Sequence, residues 1–302
     1  MNKQFHRILI TGSNGLLGQK LVSYCMANDI DFLATANEEN RFSLCSEEFF
    51  KTLDVTIPSQ VNEVILKYKP THILNAAALT NVDACEDHAE VCNAVNVTGV
   101  KNILQAIERT DIHLTQISTD FIFDGEKKLY DEVDVASPLS EYGKSKWEAE
   151  KLLTESNHKN VAILRTSILY GTGELLKKSN IFNWAMEQLR AGKELNIVND
   201  QFRTPTFVDD LVQACFKVIE HQATGVYNIS GGELRSMYEY ILLVADYVGA
   251  NKALVKPISS NQLNQKAARP RSSGLCIDKA KQRIAYSPTG FVESLFRIDP
   301  FN

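Results

Sequence analysis

The sequence predicts an α/β protein, in which helices cover both faces of a doubly wound parallel sheet and a smaller C-terminal α/β lobe is interleaved with it. Three observations support this fold class. Short β-rich runs alternate with helical patterns through the first half of the chain, which indicates βαβ units. The strand-like runs are almost continuously apolar, as expected for strands buried on both faces. The regular alternation fades after about residue 170, where the second lobe begins.

The predicted strands of the first half are short apolar runs. In chain order they are RILIT (7–11), DFLATA (31–36), THILNAAA (71–78), IHLTQIS (112–118) and NVAILRTSI (160–168). Apolar residues at helical spacing predict helices at 17–28, 59–69 and 90–110, and a further helix that contains SEYGKSKWEAE (140–150). A helix between two strands lets the second strand run parallel to the first.

The second half carries longer amphipathic patterns and fewer strands. We predict helices at 181–193, 207–221 and 237–250, a short strand at 225–230 and a polar, basic loop at 259–274. The sequence has no linker long enough to separate two free domains. We therefore expect the second lobe to pack onto the first, with ligands between the two.

Composition and charge exclude several classes of protein. The chain has 302 residues, of which 44% are hydrophobic and 23% charged, and its formal net charge is −5. This balance argues against a general nucleic-acid or membrane-surface binder, and no apolar stretch approaches the ~18 residues of a membrane helix. Six cysteines without a CxxC pair and six histidines without metal-ligand spacing predict reduced thiols, a cytoplasmic location and no metal site.

A glycine-rich loop joins the first predicted strand to the first helix. In ILITGSNGLLGQKLV, Gly12, Gly15 and Gly18 fall at this turn, where glycine allows a tight turn and a close approach of a pyrophosphate to the backbone. The helix N-terminus then offers free N–H groups and the positive end of its dipole. The spacing is GxxGxxG rather than the common GxGxxG, but its position between strand and helix predicts a dinucleotide site.

The tip of the second strand bears on which nicotinamide cofactor is bound. An acid about 20 residues after the glycine loop favours NAD, whereas a nearby arginine favours NADP. The strand ends in ATAN, with Ala36 and Asn37 where the acid is expected, and Arg41 follows. The sequence therefore favours NADPH over NADH, with Arg41 as the candidate for the 2′-phosphate. A solvated loop cation is the alternative interpretation of Arg41.

Three side chains form a coherent set for proton transfer. Thr119 stands at the end of a predicted strand, at the sheet edge where doubly wound folds bind ligands. Tyr142 and Lys146 are four residues apart and therefore neighbours on a helix. A cation beside a phenol lowers its pKa from about 10, which suits a proton donor near neutral pH. Taken alone, the Tyr–Lys pair is more simply a phenol packed against a lysine stem.

Eight motifs follow one another along nearly the whole chain. They are TGSNGLLG, LDVT (53–56), ILNAAALTNVDACE, ISTDFIFDG, PLSEYGKSK, LRTSILYG, NDQFRTPTFVDDL and ARPRSSGL. In this order they resemble the extended short-chain dehydrogenase/reductase family and, within it, the dTDP-4-dehydrorhamnose reductase group. The resemblance implies a Rossmann-type NAD(P)-binding domain over 1–168 and a substrate-binding lobe over 169–302, with about 207–230 returning to the first domain. It also implies hydride transfer from NADPH to the C4 keto group of a nucleotide-linked deoxysugar, with dTDP-4-dehydrorhamnose giving dTDP-rhamnose.

The resemblance also assigns roles to residues. Tyr142 falls on the position of the proton donor, Lys146 on that of the lysine that lowers the tyrosine's pKa and holds the nicotinamide ribose, and Thr119 on that of the hydroxyl that binds the carbonyl oxygen. The implied cofactor contacts are Gly12, Asn14, Gly15, Leu16, Leu17, Gly18, Asn37, Arg41, Asp54, Val55, Ala76, Ala77, Ala78, Ser118, Tyr142, Lys146 and Ile168. The implied substrate contacts are Thr119, Asp120, Phe121, Asn180, Arg203, Arg269 and Arg271.

Three positions depart from the rhamnose group. Phe121 stands where a tyrosine usually follows the STD triplet, and Ile168 where a tryptophan often follows RTS; both changes weaken the assignment of this particular sugar. Arg203, in DQFRTPT, takes a place where the group often has glycine. It resembles other nucleotide-sugar enzymes in which arginine grips a diphosphate. A surface arginine beside a turn is the alternative.

Two other functions stay open. The β regulatory subunit of methionine adenosyltransferase resembles this chain in fold and in its LYG, RFPT and RPR stretches, yet it serves as a binding partner. A sister nucleotide-sugar epimerase or reductase is the second alternative. A 4,6-dehydratase is disfavoured, because Phe121 rather than an acid follows Asp120. The resemblance also allows a homodimer.

Overall fold

The computed structural model describes residues 6–177, 179–263 and 265–299. Its longer strands match the apolar runs of the sequence, and most of the short strands form two-stranded sheets. The strands are β1 (Arg7–Thr11), β2 (Asp31–Ala36), β3 (Phe50–Thr52), β4 (His72–Asn75), β5 (His113–Thr119), β6 (Leu129–Tyr130), β7 (Val161–Thr166), β8 (Leu169–Tyr170), β9 (Leu195–Val198), β10 (Phe202–Arg203), β11 (Thr206–Phe207), β12 (Gly225–Asn228), β13 (Arg235–Ser236), β14 (Val255–Ile258) and β15 (Gly274–Leu275).

Helices connect the strands. They are α1 (Leu16–Ala27), α2 (Pro58–Tyr68), α3 (Val82–Asp87), α4 (Ala89–Asn93), α5 (Gly99–Ile107), α6 (Glu141–Thr154), α7 (Ile181–Arg190), α8 (Val208–Glu220), α9 (Met237–Tyr247), α10 (Asp278–Ile284) and α11 (Phe291–Ile298). The predicted helix 90–110 is interrupted, because a π-helical segment, Ala94–Thr98, joins α4 to α5. None of the helices in the described ranges has the length and apolarity to cross a membrane.

Seven parallel strands form the central sheet, in the order β12–β7–β5–β4–β1–β2–β3. The predicted doubly wound α/β fold is therefore confirmed. The chain order reverses at β1 and β4, and ligands in such sheets bind at this switch point, beyond the carboxyl ends of the strands. β3 was not predicted from the sequence, because it has only three residues. β12 belongs to the second half of the chain yet pairs with β7 at the sheet edge.

Successive residues of the central strands face two separate hydrophobic clusters. In β1, Ile8 and Ile10 belong to a cluster that includes residues of α1 and α8, whereas Leu9 belongs to one that includes residues of α2 and α5. All three side chains are at most 2% exposed. Helices on both faces of the sheet explain why its strand sequences are apolar without alternation.

An aromatic cluster forms the centre of the second lobe. The rings of Tyr170, Phe182, Tyr240 and Phe291 pack with centroids between 4.6 and 5.9 Å apart, in tilted and edge-on arrangements that aromatic pairs prefer. Tyr170 lies in β8, only a few residues after β7 of the central sheet. The same hydrophobic cluster continues into the residues of α1 and α8, so the second lobe packs directly onto the sheet.

Candidate active site

The glycine loop lies between β1 and α1, as predicted. Gly12 has a φ of +70°, in the left-handed region that glycine adopts without strain. A Cβ at Gly12 would lie 2.7 Å from the Ala77 nitrogen, and one at Gly18 would lie 2.3 Å from the Gly12 oxygen. The missing side chains therefore let the loop approach the chain after β4 and let α1 pack against the loop.

The first turn of α1 is suited to an anion. Its N-cap, Gly15, provides no side-chain hydrogen bond, and the turn carries no acid. Leu16 is half-buried and Leu17 is buried, so the turn presents backbone rather than polar side chains. Beside it, Ser13 Oγ is buried without a hydrogen-bond partner in the described part of the chain. Uncapped N–H groups at a helix N-terminus fit the pyrophosphate of a dinucleotide.

The polar groups that follow β2 interact through hydrogen bonds and an ion pair. Asn14 Nδ2 donates to the Glu39 carbonyl at 2.8 Å, and its Oδ1 accepts from the Arg41 N–H at 2.9 Å. Arg41 Nη2 lies 3.5 Å from Glu38 Oε2, while its Nε is buried without a hydrogen-bond partner among the described residues. Asn37 is exposed. Asn14 therefore positions this loop.

Asp54 and Val55 follow β3, and their groups make local contacts. Asp54 Oδ1 accepts from the N–H and the hydroxyl of Thr56 at 2.9 and 2.7 Å. The Val55 carbonyl accepts from Asn102 Nδ2 at 2.9 Å. The alanines 76–78 are half-buried and leave the sheet where the strand was predicted to continue, because β4 ends at residue 75.

Thr119, Tyr142 and Lys146 come together at the carboxyl end of β5. Thr119 is the last residue of that strand. Tyr142 lies in the first turn of α6 and has a hydrogen bond with Thr119. One turn later, Lys146 Nζ donates to the Ile117 carbonyl at 2.6 Å. The strand end and the helix are thus tied together through the three predicted side chains.

Burial governs the protonation of this set. Tyr142 is 9% exposed and Lys146 is 3% exposed. Burial raises the pKa of Tyr142, and the hydrogen bond with Thr119 opposes this shift. Burial also lowers the pKa of Lys146 to about 8, although the charge of Glu150 raises it. In this structure the Lys146 ammonium donates to a backbone carbonyl, so its expected lowering of the Tyr142 pKa stays a prediction. Tyr142 stays protonated at neutral pH, as a proton donor must.

A buried ion pair that the sequence analysis missed lies next to this set. Glu150 is 1% exposed, and it accepts from Arg165 Nη2 at 2.7 Å and from Arg165 Nε at 3.1 Å. Ser118 Oγ donates to the same carboxylate at 2.5 Å. The Ser118 hydroxyl thus faces Glu150, and the implied cofactor contact of Ser118 stays a prediction. A signal was present, as Glu150 follows Lys146 by four residues and shares its helix face.

Asp120 and Arg203 are interior residues, although both were expected to touch substrate. Each is 1% exposed. Asp120 accepts from Ser167 Oγ at 3.0 Å and from Ser273 Oγ. Arg203 donates to three backbone carbonyls, those of Phe202, Pro270 and Arg271. Its Nε lies 4.0 Å from Asp120 Oδ2, and burial raises the pKa of Asp120 and lowers that of Arg203. The guanidinium satisfies its donors inside the protein, so the predicted diphosphate contact is corrected.

Phe121 packs against the predicted proton donor. Its ring meets the Tyr142 ring edge-on, with the centroids 6.0 Å apart. The guanidinium carbon of Arg203 lies 5.7 Å from the centroid of Phe121. Ile168 is half-buried and packs against the core. An apolar ring beside the phenol helps keep water from it, in line with the raised pKa.

The other predicted substrate residues lie on loops of the second lobe. Arg269 donates to the carboxylate of Asp83 at 2.8 and 3.1 Å. Arg271 is exposed. Asn180 caps α7, because its side chain accepts from the first N–H groups of that helix, and its Nδ2 donates to the Gly171 carbonyl at 2.8 Å. Asn180 thus has a structural role, while both arginines stay candidates for an anionic substrate.

Comparison with known proteins agrees with the geometry. The family described as RmlD substrate binding domain matches residues 6–298. The dTDP-4-dehydrorhamnose reductase of Aggregatibacter actinomycetemcomitans is 32% identical to this chain over 97% of it and 98% of the relative. The methionine adenosyltransferase 2 subunit beta of Bos taurus is 29% identical over 89% of this chain and 80% of the relative.

Among solved structures, dTDP-4-dehydrorhamnose reductase from Bacillus anthracis in complex with NADP superposes with a TM-score of 0.87. The two chains are 28% identical, and the match covers 99% of this chain and 100% of that one. A dTDP-4-dehydrorhamnose reductase from Clostridium acetobutylicum superposes with a TM-score of 0.86 at 29% identity, over 97% of this chain and 98% of that one. The likeness therefore extends over both lobes.

Proposed function

This chain belongs to the RmlD substrate binding domain family, and on that basis we propose that it is an NADP(H)-dependent reductase of a nucleotide-linked deoxysugar. Its proposed substrate is dTDP-4-dehydrorhamnose, reduced at the C4 keto group to dTDP-rhamnose. The observation that carries the proposal is that Thr119, Tyr142 and Lys146 meet at the end of β5. The glycine loop follows β1 at the same edge of the sheet.

The residues that would hold NADPH are those of the glycine loop at its pyrophosphate, Arg41 at its 2′-phosphate and Lys146 at its nicotinamide ribose. Two observations support this assignment. The first turn of α1 has no side-chain cap and no acid, and Arg41 Nε is buried without a partner among the described residues. When bound, the cofactor supplies the hydride.

Tyr142 completes the reduction. Hydride adds to the carbonyl carbon and the phenolic proton passes to the oxygen, so that the keto group becomes a hydroxyl. Negative charge develops on that oxygen, where Tyr142 is the proton donor. The Thr119 hydroxyl, which donates to Asp120 Oδ1 at 3.2 Å in this structure, would turn to the same oxygen. The raised pKa of Tyr142 keeps its proton available at neutral pH. The Lys146 ammonium, one turn away, would stabilise the phenolate that remains.

The substrate carries its charge on the diphosphate, away from the reacting carbon. Arg269 and Arg271 are the proposed partners of this group, because both are cations on the loop between β14 and β15. Binding energy gathered there holds the keto group in place for hydride transfer.

The test is NADPH oxidation by the purified protein with a panel of 4-keto nucleotide sugars, followed by absorbance. We expect turnover with dTDP-4-dehydrorhamnose and a product identified as dTDP-rhamnose by NMR. Tyr142→Phe is the matched inactive control. Turnover with another 4-keto sugar alone would correct the substrate, and no turnover with any member would contradict the reductase assignment.

A second candidate is a regulatory subunit, favoured by the likeness to the methionine adenosyltransferase 2 subunit beta. The complete Thr–Tyr–Lys set at one strand end supports the enzyme more strongly. A pull-down that recovers an adenosyltransferase, together with no turnover across the sugar panel, would favour the regulator.

Two further parts of the proposal concern the protein in the cell. We propose that it acts in the cytoplasm, because all six cysteines are free thiols, as is usual in a reducing compartment. We also propose a homodimer, for which the test is the sedimentation of the purified protein at two concentrations.

A further inference from the structure

Three successive turns of α6 meet three successive residues of β5. The helix residues are spaced by four, so they lie on one face. The contacts are Tyr142 with the Thr119 hydroxyl, Lys146 with the Ile117 carbonyl and Glu150 with the Ser118 hydroxyl. The proposed catalytic pair therefore has a third member on the same helix face, Glu150, whose carboxylate has no role in the reaction described above.

Glu150 cannot move readily. Arg165 binds its carboxylate through Nε and Nη2, and Arg165 Nη1 donates to the Glu132 carbonyl at 3.1 Å. Arg165 lies opposite Ser118 in the β5–β7 register, so the two donors approach Glu150 from neighbouring strands. Bidentate contacts of this kind fix the orientation of the carboxylate and also pair its charge.

The charge of Glu150 matters because Lys146 is buried. An ammonium loses hydration on burial, which favours its neutral form. An anion one turn away on the helix offsets that loss. Two groups raise the pKa of Lys146, and Glu150 has a larger effect than Cys92 of α4. Tyr142 lies one turn before Lys146 on the same helix, and Arg165 binds the carboxylate of Glu150.

We propose that Glu150, fixed by Arg165 and Ser118, is a positioning residue that keeps the Lys146 ammonium charged and directed at the end of β5. This inference rests on the proposed reductase function, in which the charged Lys146 supports Tyr142. It concerns a residue that touches neither the reacting sugar nor the hydride donor, so its effect passes through Lys146.

The test compares the pH dependence of kcat/KM in four proteins. In the wild type, activity that needs the Lys146 ammonium is present below its pKa of about 8 and is lost as the pH rises through that value. Glu150→Gln removes the anion, so the Lys146 pKa falls and the loss moves to lower pH by about one unit. Glu150→Asp keeps the charge and recovers most of the wild-type profile. Glu148→Gln, exposed on the same helix, is the matched control and leaves the profile unchanged.

Glu150→Gln also leaves Arg165 buried without its counter-charge, which can prevent folding. The double variant Glu150→Gln/Arg165→Gln removes both charges and is used if the single variant is unfolded by circular dichroism. The double variant also lacks Glu150, so its alkaline loss moves in the same direction. A folded variant without Glu150 that keeps the wild-type profile overturns the inference.

A readout without substrate separates this inference from the proposed function. The Lys146 ammonium is followed by NMR in lysine-labelled protein, assigned by comparison with Lys146→Met, and titrated in the wild type and in the folded Glu150 variant. A lower pKa in the variant supports the inference even if no sugar is turned over. Equal pKa values in the two proteins contradict it, whereas absence of turnover in the wild type contradicts only the reductase assignment.

Discussion

The proposed catalytic centre (Thr119, Tyr142, Lys146) and the basic rim (Arg41, Arg269, Arg271) differ in what fixes their side chains. The centre is buried, and its groups are tied to one strand end and one helix. In the rim, Arg41 pairs with Glu38 of its own loop, Arg269 pairs with Asp83 of α3, and Arg271 is exposed. The centre is thus organised before substrate arrives. In the rim, Arg41 and Arg269 must release or share their carboxylate partners in order to bind a phosphate group. We expect changes in the centre to act on kcat, and changes in the rim on KM and cofactor preference.

The largest effect is expected in the centre. Tyr142→Phe removes the proton donor and leaves the ring packing, so kcat should fall by ~10²–10⁴ while NADPH binding stays close to wild type. Steady-state kinetics and a fluorescence titration with NADPH measure the two quantities. Tyr24→Phe, on α1 and outside the site, is the control. A Tyr142→Phe enzyme with wild-type kcat would remove this residue from the mechanism.

Arg203 tests the comparison between centre and rim. Its sequence motif predicts a substrate-binding residue like those of the rim, but its side chain lies in the interior. Arg203→Ala leaves Asp120 buried without the Arg203 cation and removes a donor from three backbone carbonyls, so the free energy of unfolding should fall by ~3–5 kcal/mol. Urea unfolding measures the change. Arg297→Ala, which breaks an exposed pair with Glu293, should cost about 1 kcal/mol or less.

The opposite outcome for Arg203 has a clear meaning. If Arg203→Ala kept its stability and instead raised KM for the nucleotide sugar, the arginine would bind the diphosphate as its sequence motif predicts. Arg203 would then belong with the residues of the basic rim.

In the rim, Arg269→Ala should raise KM for the sugar substrate and leave NADPH affinity near wild type. Loss of a charge-assisted contact is worth ~1.5–3 kcal/mol, or roughly ten- to a hundredfold in KM. Arg235→Ala removes an exposed guanidinium that is paired with Glu233 and serves as the control. An unchanged KM in Arg269→Ala would move the diphosphate away from this loop.

The smallest effect is expected at Arg41, whose partners are distant. Its contacts with Glu38 and with the Leu175 carbonyl are 3.5 and 3.4 Å long. Arg41→Ala should narrow the preference for NADPH over NADH by about three- to tenfold, or ~0.7–1.4 kcal/mol. Dissociation constants for both cofactors test this, with Lys51→Ala on β3 as the control. A wild-type enzyme that binds NADH more tightly would reverse the sequence-based choice of cofactor.

The same contrast explains what could be predicted from sequence. The strands β1, β2, β5 and β7, and the Tyr142–Lys146 pair, depend on residues close together in the chain, so periodicity and spacing reveal them. The partners of Arg203 come from segments far away in sequence, such as Pro270, and a charged residue in a polar motif predicts exposure. For the Glu150–Arg165 pair, the spacing of Glu150 from Lys146 indicates its helix face, but its partner Arg165 belongs to a different element and is not indicated.

Local rules also fail where an element is short or irregularly wound. β3 has too few residues for a pattern. The π-helical segment between α4 and α5 differs from an α-helix in winding, which apolar spacing does not resolve. It carries Asn96, whose side chain bonds the Leu79 N–H and carbonyl at 2.8 and 3.1 Å and Ser145 Oγ at 3.0 Å. This asparagine joins the segment after β4 to α6, and no signal in the sequence singled it out.

The place of β12 beside β7 has a consequence for the chain while it is being synthesised. β7 is complete once Thr166 has left the ribosome, but the strand that covers its outer edge begins only at Gly225. Ribosomes add about 5–20 residues per second, so β7 remains an open edge for roughly 3–12 seconds. Open apolar edges recruit other strands. Nascent chains on one messenger can therefore associate through β7 during this interval, and slow codons between Thr166 and Gly225 would lengthen it.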